Sequence, residues 1–273
     1  MARIPPDRHP SIWMTGSLLA SNAALVIGLM TLLWAASVAR RDAGIVDPWW
    51  SMAFLLVTGH TVAATGITPA KTLLLAMVGA WALRLWLHLL LRSRGRPEDP
   101  RYAAFRQRYG PERYWWVSYF QVFLLQGMLA ILISAPLQVA AAARAPDPVG
   151  PAALLGLLVF LVGFAIEVVA DAQLQAFRDD PANRGRVLDS GLWRFSRHPN
   201  YFGEALLWWG FWLVAVGQPR GWVTIFAPLL MTFLLVKVSG VALLDAHLAA
   251  TRPGYADYMR RTSAVIPRPP APP

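Results

Sequence analysis

Glu167, Asp171 and Arg178 stand at i, i+4 and i+11 in GFAIEVVADAQLQAFRDD, so a helix through this stretch carries all three on one stripe. The preceding residues are apolar enough to place the two acids within or near the hydrocarbon of a membrane. An ionisable group at that depth is costly and points to function, unless it serves only as a contact between helices. Arg178 emerges at the polar end, where an anion can meet it. A second cluster is FSRHPNYFGE, residues 195–204, directly ahead of the apolar run ALLWWGFWLVAVG. Pro199 suits the first turn of a helix, because its missing N–H would be unpaired there anyway. A helix starting near Asn200 sets Asn200, Gly203, Glu204, Leu207 and Trp208 along one side, and free N–H groups at such a start favour an anion. Arg194 and Arg197 flank this start, with Arg184 and Arg186 close upstream. The plainer reading is a helix cap among topology-setting arginines, but a cap does not require Asn200 and Glu204 facing inward one turn apart.

Other chemistry-bearing residues are scattered. Asp47, in RRDAGIVDPWW, precedes a proline and two tryptophans and reads equally as a helix cap or a buried acid. Lys237 and Asp245 lie eight residues apart and can share a helix face, while His247 reads as an interfacial residue or a ligand. Arg84 and His88 sit one turn apart in an apolar run, and His60 and His9 have no evident partner. The chain has no cysteine, which excludes disulfides and thiolate metal sites. No two of its five histidines are close enough for a clustered metal box, and HExxH and GxSxG are missing, so no metal is expected. GxGxxG is missing too, so any dinucleotide must be held without a Rossmann fold. Of 25 basic residues only Lys71 and Lys237 are lysines. Arginine grips phosphate with a planar fork, although codon usage and topology also produce such a bias.

The elements that must position these groups are membrane helices, since a run of about 20 apolar residues crosses a bilayer core. Seven spans can be drawn, at roughly 14–39, 49–67, 70–91, 119–142, 152–176, 202–217 and 222–247. The expected fold is therefore an all-α, polytopic single integral-membrane domain over 1–273, with residues 268–273 a disordered Pro-rich tail. Between the third and fourth spans, RSRGRPEDPRYAAFRQRYGPERYWW reads as an interfacial helix or loop, with Trp115 and Trp116 at headgroup level. Eighteen basic residues fall in the 1–2, 3–4 and 5–6 loops and the C-terminus, against Arg3, Arg8, Lys71, Arg144 and Arg220 on the other side. Basic residues concentrate in cytoplasmic loops, so the N-terminus is expected outside and the C-terminus inside. The first span ends in SVA, like a signal-peptidase site, but its length marks it as retained.

Four motifs in order, RGRPEDPRY, ADAQLQAFR, NRGRVLDSGLWRFSRHPNYFGE and RPGYADYMRRTSAVIP, resemble a bacterial membrane family of the steroid 5-alpha-reductase C-terminal superfamily. The resemblance runs from about Asp42 to Pro267. RHPxY alone is less specific, being shared with sterol reductases and isoprenylcysteine methyltransferases. The resemblance implies a seven-helix fold binding NADPH from the cytoplasmic side of a bacterial inner membrane, with cofactor contacts at Arg96, Glu167, Asp171, Arg178, Arg186, Asn200, Glu204 and His247. Arg197, His198 and Tyr258 join that cofactor set. Trp208 matches an aromatic near nicotinamide and substrate, and Trp49 and Trp50 are assigned to the substrate pocket. Glu167 departs from the Asn of the steroid reductases, and their ketone-binding Gln–Glu pair has no counterpart here, Asp47 being the nearest acid. The implied activity is reduction of a carbon–carbon double bond in a membrane-soluble lipid, with Asp47, Tyr201 or Glu204 as the acid. The alternatives are an S-adenosylmethionine-dependent lipid or prenyl-thiol methyltransferase, and a non-catalytic lipid-binding protein. Lipids are the expected partners, and nucleic acid is not.

Overall fold

The computed structural model describes residues 16–143, 148–238 and 241–271; Arg3, Arg8, His9 and Arg144 lie outside them. Regular structure among the described residues is helical, without strands. The main helices are α1 Gly16–Arg40, α2 Val46–Thr65, α3 Pro69–Ser93, α4 Pro100–Tyr109, α5 Pro111–Ile133, α6 Ala135–Ala141, α7 Pro151–Asp179, α8 Pro199–Val216, α9 Gly221–Val238, α10 Val241–Thr251 and α11 Tyr255–Arg261. Proline opens α3, α4, α5, α7 and α8, where its missing N–H costs nothing. Thr68 caps α3 by accepting from Lys71 N, and Asp99 caps α4 by accepting from Arg101 N.

Among the described residues five helices, α1, α3, α5, α7 and α9, are long and apolar enough to cross a membrane. The second and sixth expected spans are helical too, as α2 and α8, but fall outside those five. Their first turns carry Asp47, Pro48, Trp49 and Trp50, and Asn200 and Glu204, which lower the apolar content. The fourth span is shifted toward the N-terminus relative to 119–142. It starts at Pro111, which brings Trp115 and Trp116 into its first two turns, and it ends beside Ser134 because Pro136 cannot continue the hydrogen-bond ladder.

Packing divides the chain into two compact units, Met1–Ser134 with Ala141–Asp147, and Ala135–Ala140 with Pro148–Pro273. In the first, α1, α2, α3 and α5 bury Val26, Met30, Phe54, Trp81 and Phe123. Several polar groups inside it are paired. Asn22 Nδ2 donates to Thr61 Oγ1 at 2.9 Å, and buried Lys71 Nζ donates to Thr65 Oγ1 at 2.8 Å and Gly66 O at 3.0 Å, placing its charge at the negative end of α2.

In the second unit, α7 and α8 pack antiparallel along four glycines, each pair spaced by seven residues. A Cβ on Gly163 would lie 2.6 Å from Leu207 N, and one on Gly203 would lie 2.6 Å from Glu167 N. A Cβ on Gly156 would lie 2.7 Å from Gly210 O, and one on Gly210 would lie 2.7 Å from Phe160 N. The two backbones are therefore in direct contact. In lipid, hydrocarbon tails are as apolar as leucine, so helix pairs gain from such close packing more than from apolar burial. Phe160, Trp208 and Phe211 fill the space beside the seam.

Candidate functional site

The seam determines what meets at the head of α8. With Gly203 against Glu167, the inward face of α8 lies along the acidic stripe of α7. Glu167 is buried to 3%, Asp171 to 8% and Glu204 to 6%. Asn200 Nδ2 donates to Asp171 Oδ1 at 3.1 Å, and Trp208 Nε1 donates to Glu204 Oε1 at 3.0 Å. Trp208 is wholly buried and meets Phe211 edge-on. The Asn200 carbonyl Oδ1 is buried and has no hydrogen-bond partner among the described residues. No side chain caps α8, so its first-turn N–H groups stay available. The loop from α7 to α8 is tied down by Trp193 Nε1 donating to Ala170 O at 3.1 Å and by Leu192 N donating to Gln173 Oε1 at 3.0 Å. Arg178, Arg184, Arg186 and Arg194 are exposed around that loop, and His247 is exposed on α10.

Arg197 and His198 point elsewhere. Both donors reach Asp245, with Arg197 Nη2 at 2.7 Å from Oδ2 and His198 Nε2 at 3.0 Å from Oδ1. Tyr255 OH donates to the same carboxylate at 2.6 Å. Burial pushes the Asp245 carboxyl up, but the hydrogen bonds from His198, Arg197 and Tyr255 outweigh it and hold the group well below the usual carboxylate range. Arg197 Nη1 also donates to Met259 O and Thr262 O, and Tyr258 OH donates to Trp193 O. The chain after α11 straps back over this turn: Arg197 N donates to Ser263 O, Ser196 Oγ to Val265 O, and Arg268 N to Phe195 O. Ala271 N donates to Arg261 O, so the Pro-rich tail is hydrogen-bonded as far as it is described. Tyr201 stacks on His198 with ring centroids 5.4 Å apart.

The remaining candidates belong to the first unit. Asp47 accepts from Tyr102 OH at 2.6 Å and from Arg101 Nη2 at 2.9 Å, and Tyr102 OH in turn accepts from Gln126 Nε2 at 3.2 Å. The Asp47 side chain is thus paired to α4 rather than capping a helix. Trp50 donates to Gln126 O at 3.3 Å and packs edge-on against Phe54, while Trp49 meets Trp86. Arg96 is exposed in the turn after α3. No group of three metal-binding side chains occurs among the described residues.

The family described as "Protein of unknown function (DUF1295)" matches residues 33–262. The chain belongs to the DUF1295 family. An uncharacterized protein of Schizosaccharomyces pombe is 27% identical over 236 residues, covering 74% of this chain and 68% of that relative. No solved structure matches the chain. The DUF1295 match takes in every candidate residue, from Asp47 to Tyr258. Three groups in it have no role that their sequence context alone assigns: Tyr102, Gln126 and Tyr255. Tyr102 ends the motif RGRPEDPRY and Tyr255 pairs with Tyr258 at i, i+3, so both stood inside motifs already singled out. Gln126 had no such signal.

Proposed function

We propose that this DUF1295 protein is an NADPH-dependent reductase of a carbon–carbon double bond in a membrane-soluble lipid, related to the steroid 5-alpha-reductases. Seven spans, a cytoplasmic C-terminus and a cofactor site on the cytoplasmic face of an inner membrane are part of this reading. The observation that carries it is the buried, unpaired Asn200 Oδ1 on the α7–α8 seam. A lone buried acceptor costs about 1–3 kcal/mol, so it calls for a donor such as a carboxamide N–H or a ribose hydroxyl.

The residues present fit the cofactor. Asn200, Asp171 and Glu204 offer acceptors for amide and hydroxyl donors, and Arg178 and Arg186 offer the charge-assisted bonds that phosphates need. Bound NADPH supplies the hydride that saturates one alkene carbon. A proton must then reach the other carbon or a conjugated oxygen, and Asp47, Tyr201 and Glu204 are the acids assigned to it. In this reading Arg197, His198 and Tyr258 act by fixing the turn ahead of Asn200 rather than by touching phosphate.

Calorimetry on protein in detergent tests the proposal. NADPH is expected to bind saturably, and Asn200→Ala or Arg186→Ala to weaken it about tenfold, equivalent to about 1.4 kcal/mol. Failure of wild type to bind NADPH sinks the reading, and saturable S-adenosylmethionine binding in its place would point to the methyltransferase.

A further inference from the structure

The first unit contains a cavity of about 520 Å³ at the junction of α1, α4 and α5, lined by Ser37, Arg41, Arg106, Tyr114, Trp115 and Ser118. None of these residues belongs to the proposed cofactor or proton-handling sets. Three features of the lining are unusual together. Tyr114 is buried to 1%, yet its hydroxyl has no hydrogen-bond partner among the described residues. Arg41 ends α1 in a left-handed backbone conformation, φ 53°, which a residue with a Cβ adopts only at some cost. Arg41 is among the residues that line the cavity. Arg106 lies over the Tyr114 ring, 4.6 Å from its centroid.

Two of the neighbouring acids, Glu98 and Asp42, are already engaged. Glu98 takes Arg106 Nε at 2.9 Å and Nη2 at 2.8 Å, leaving Nη1 over, and also accepts from Ala43 N. Asp42 accepts from Gly44 N at 2.8 Å, and Glu112 is exposed. Ser37 and Ser118 donate to Trp34 O and Trp115 O of their own helices, so toward the cavity they present acceptor lone pairs. The start of α5 at Pro111 has no side-chain cap and adds its partial positive charge. The α1 C-terminus opposes it with about half a charge, which Arg40 and Arg41 outweigh. What this lining lacks is an anion with several acceptor oxygens.

We propose that this cavity binds a phosphate group, that of a phospholipid headgroup, through Arg41, Arg106 and the Tyr114 hydroxyl. The cavity stands at the ends of two candidate membrane spans, α1 and α5, which is the depth of a headgroup. Trp115 and Trp116 are 51% and 45% exposed there, as residues of an interfacial aromatic belt are. The volume is several times that of inorganic phosphate and leaves room for a glycerol unit, whose hydroxyls suit the Ser37 and Ser118 oxygens. Basic pockets at helix ends on a membrane surface recognise anionic headgroups by this chemistry.

The test uses full-length, delipidated protein in non-ionic detergent, with melting temperature read against added dioleoyl phosphatidylglycerol. A saturable rise is expected. Arg41→Asn, which tolerates the left-handed backbone, should raise the half-saturating concentration about tenfold, as loss of a charged hydrogen bond does. Tyr114→Phe should raise it several-fold while leaving the lipid-free melting temperature unchanged, since its hydroxyl gives up no protein partner. Glycerol 3-phosphate reproducing the shift with the same sensitivity to both variants would support the site and identify a soluble phosphate as its source. Equal response of both variants and wild type overturns the proposal. NADPH titrations on the same variants keep the two sites apart, because neither substitution should alter them.

Discussion

Replacing Gly203 by alanine is expected to lower the melting temperature in detergent by about 6–12 °C. The added Cβ would lie 2.6 Å from Glu167 N and from Gly163 O, both backbone atoms, so no side chain can swing aside to relieve it. The helices must separate, which corresponds to the upper end of overpacking costs, about 3 kcal/mol. A domain of this size loses roughly 2–4 °C per kcal/mol. Gly163→Ala should behave alike, since its Cβ meets Leu207 N at 2.6 Å. Gly28→Ala is the control: it lies mid-helix in α1 with nothing within 4 Å of an added Cβ. It should hold or gain about 0.5–1 kcal/mol, the ordinary preference of a helix for alanine. The seam also sets the Asn200–Asp171 distance, so NADPH binding in the proposed reading should fall with Gly203→Ala and not with Gly28→Ala. Equal melting of Gly203→Ala and wild type would mean that the backbones do not touch.

That contact shows where sequence legibility ends. The Glu167–Asp171–Arg178 stripe and the inward face of Asn200, Glu204 and Trp208 follow from helical period, which is local, and both were readable. The helices themselves were readable from apolar runs. Whether α2 and α8 cross a membrane does not follow from those runs, because both mix tryptophan and acids into their first turns. The seven-residue spacing of Gly156 and Gly163, and of Gly203 and Gly210, is visible in the sequence. Nothing local says that two such pairs face one another. The same holds for Asp245. Its partner Arg197 is 48 residues away, whereas helical period points only to the nearer cation, Lys237 at eight residues. Lys237 is exposed, whereas Asp245 is buried among donors from the turn before α8 and from α11. The sequence leaves Asp47 open between cap and buried acid because the choice depends on Tyr102 and Arg101, 55 and 54 residues on.

Asp245→Asn is expected to be as damaging as any change in the second unit. The carboxylate receives Arg197, His198 and Tyr255 at once, with Arg197 and Asp245 side chains only 10% and 9% exposed. Removing one partner of a buried ion pair leaves the other charge uncompensated, at about 3–5 kcal/mol. A fall on the order of 10 °C in melting temperature should follow. Asp257→Asn, whose ion pairs to Arg260 and Arg261 are on the surface, should leave it unchanged. The pH dependence has a definite sign. The folded-state pKa of Asp245 is depressed, so its stabilisation is complete above the ordinary carboxylate value of about 3.9 and is lost as pH falls through the folded value below it. The gap in melting temperature between wild type and Asp245→Asn should therefore be constant from pH 5 to 8 and narrow only below about pH 4. Because Arg197 also bonds the chain between α11 and Ser263, limited proteolysis of the variant should open the C-terminal strap first. A gap that instead narrowed as pH rose from 5 to 8 would rule out the Asp245 charge as the source of the stabilisation.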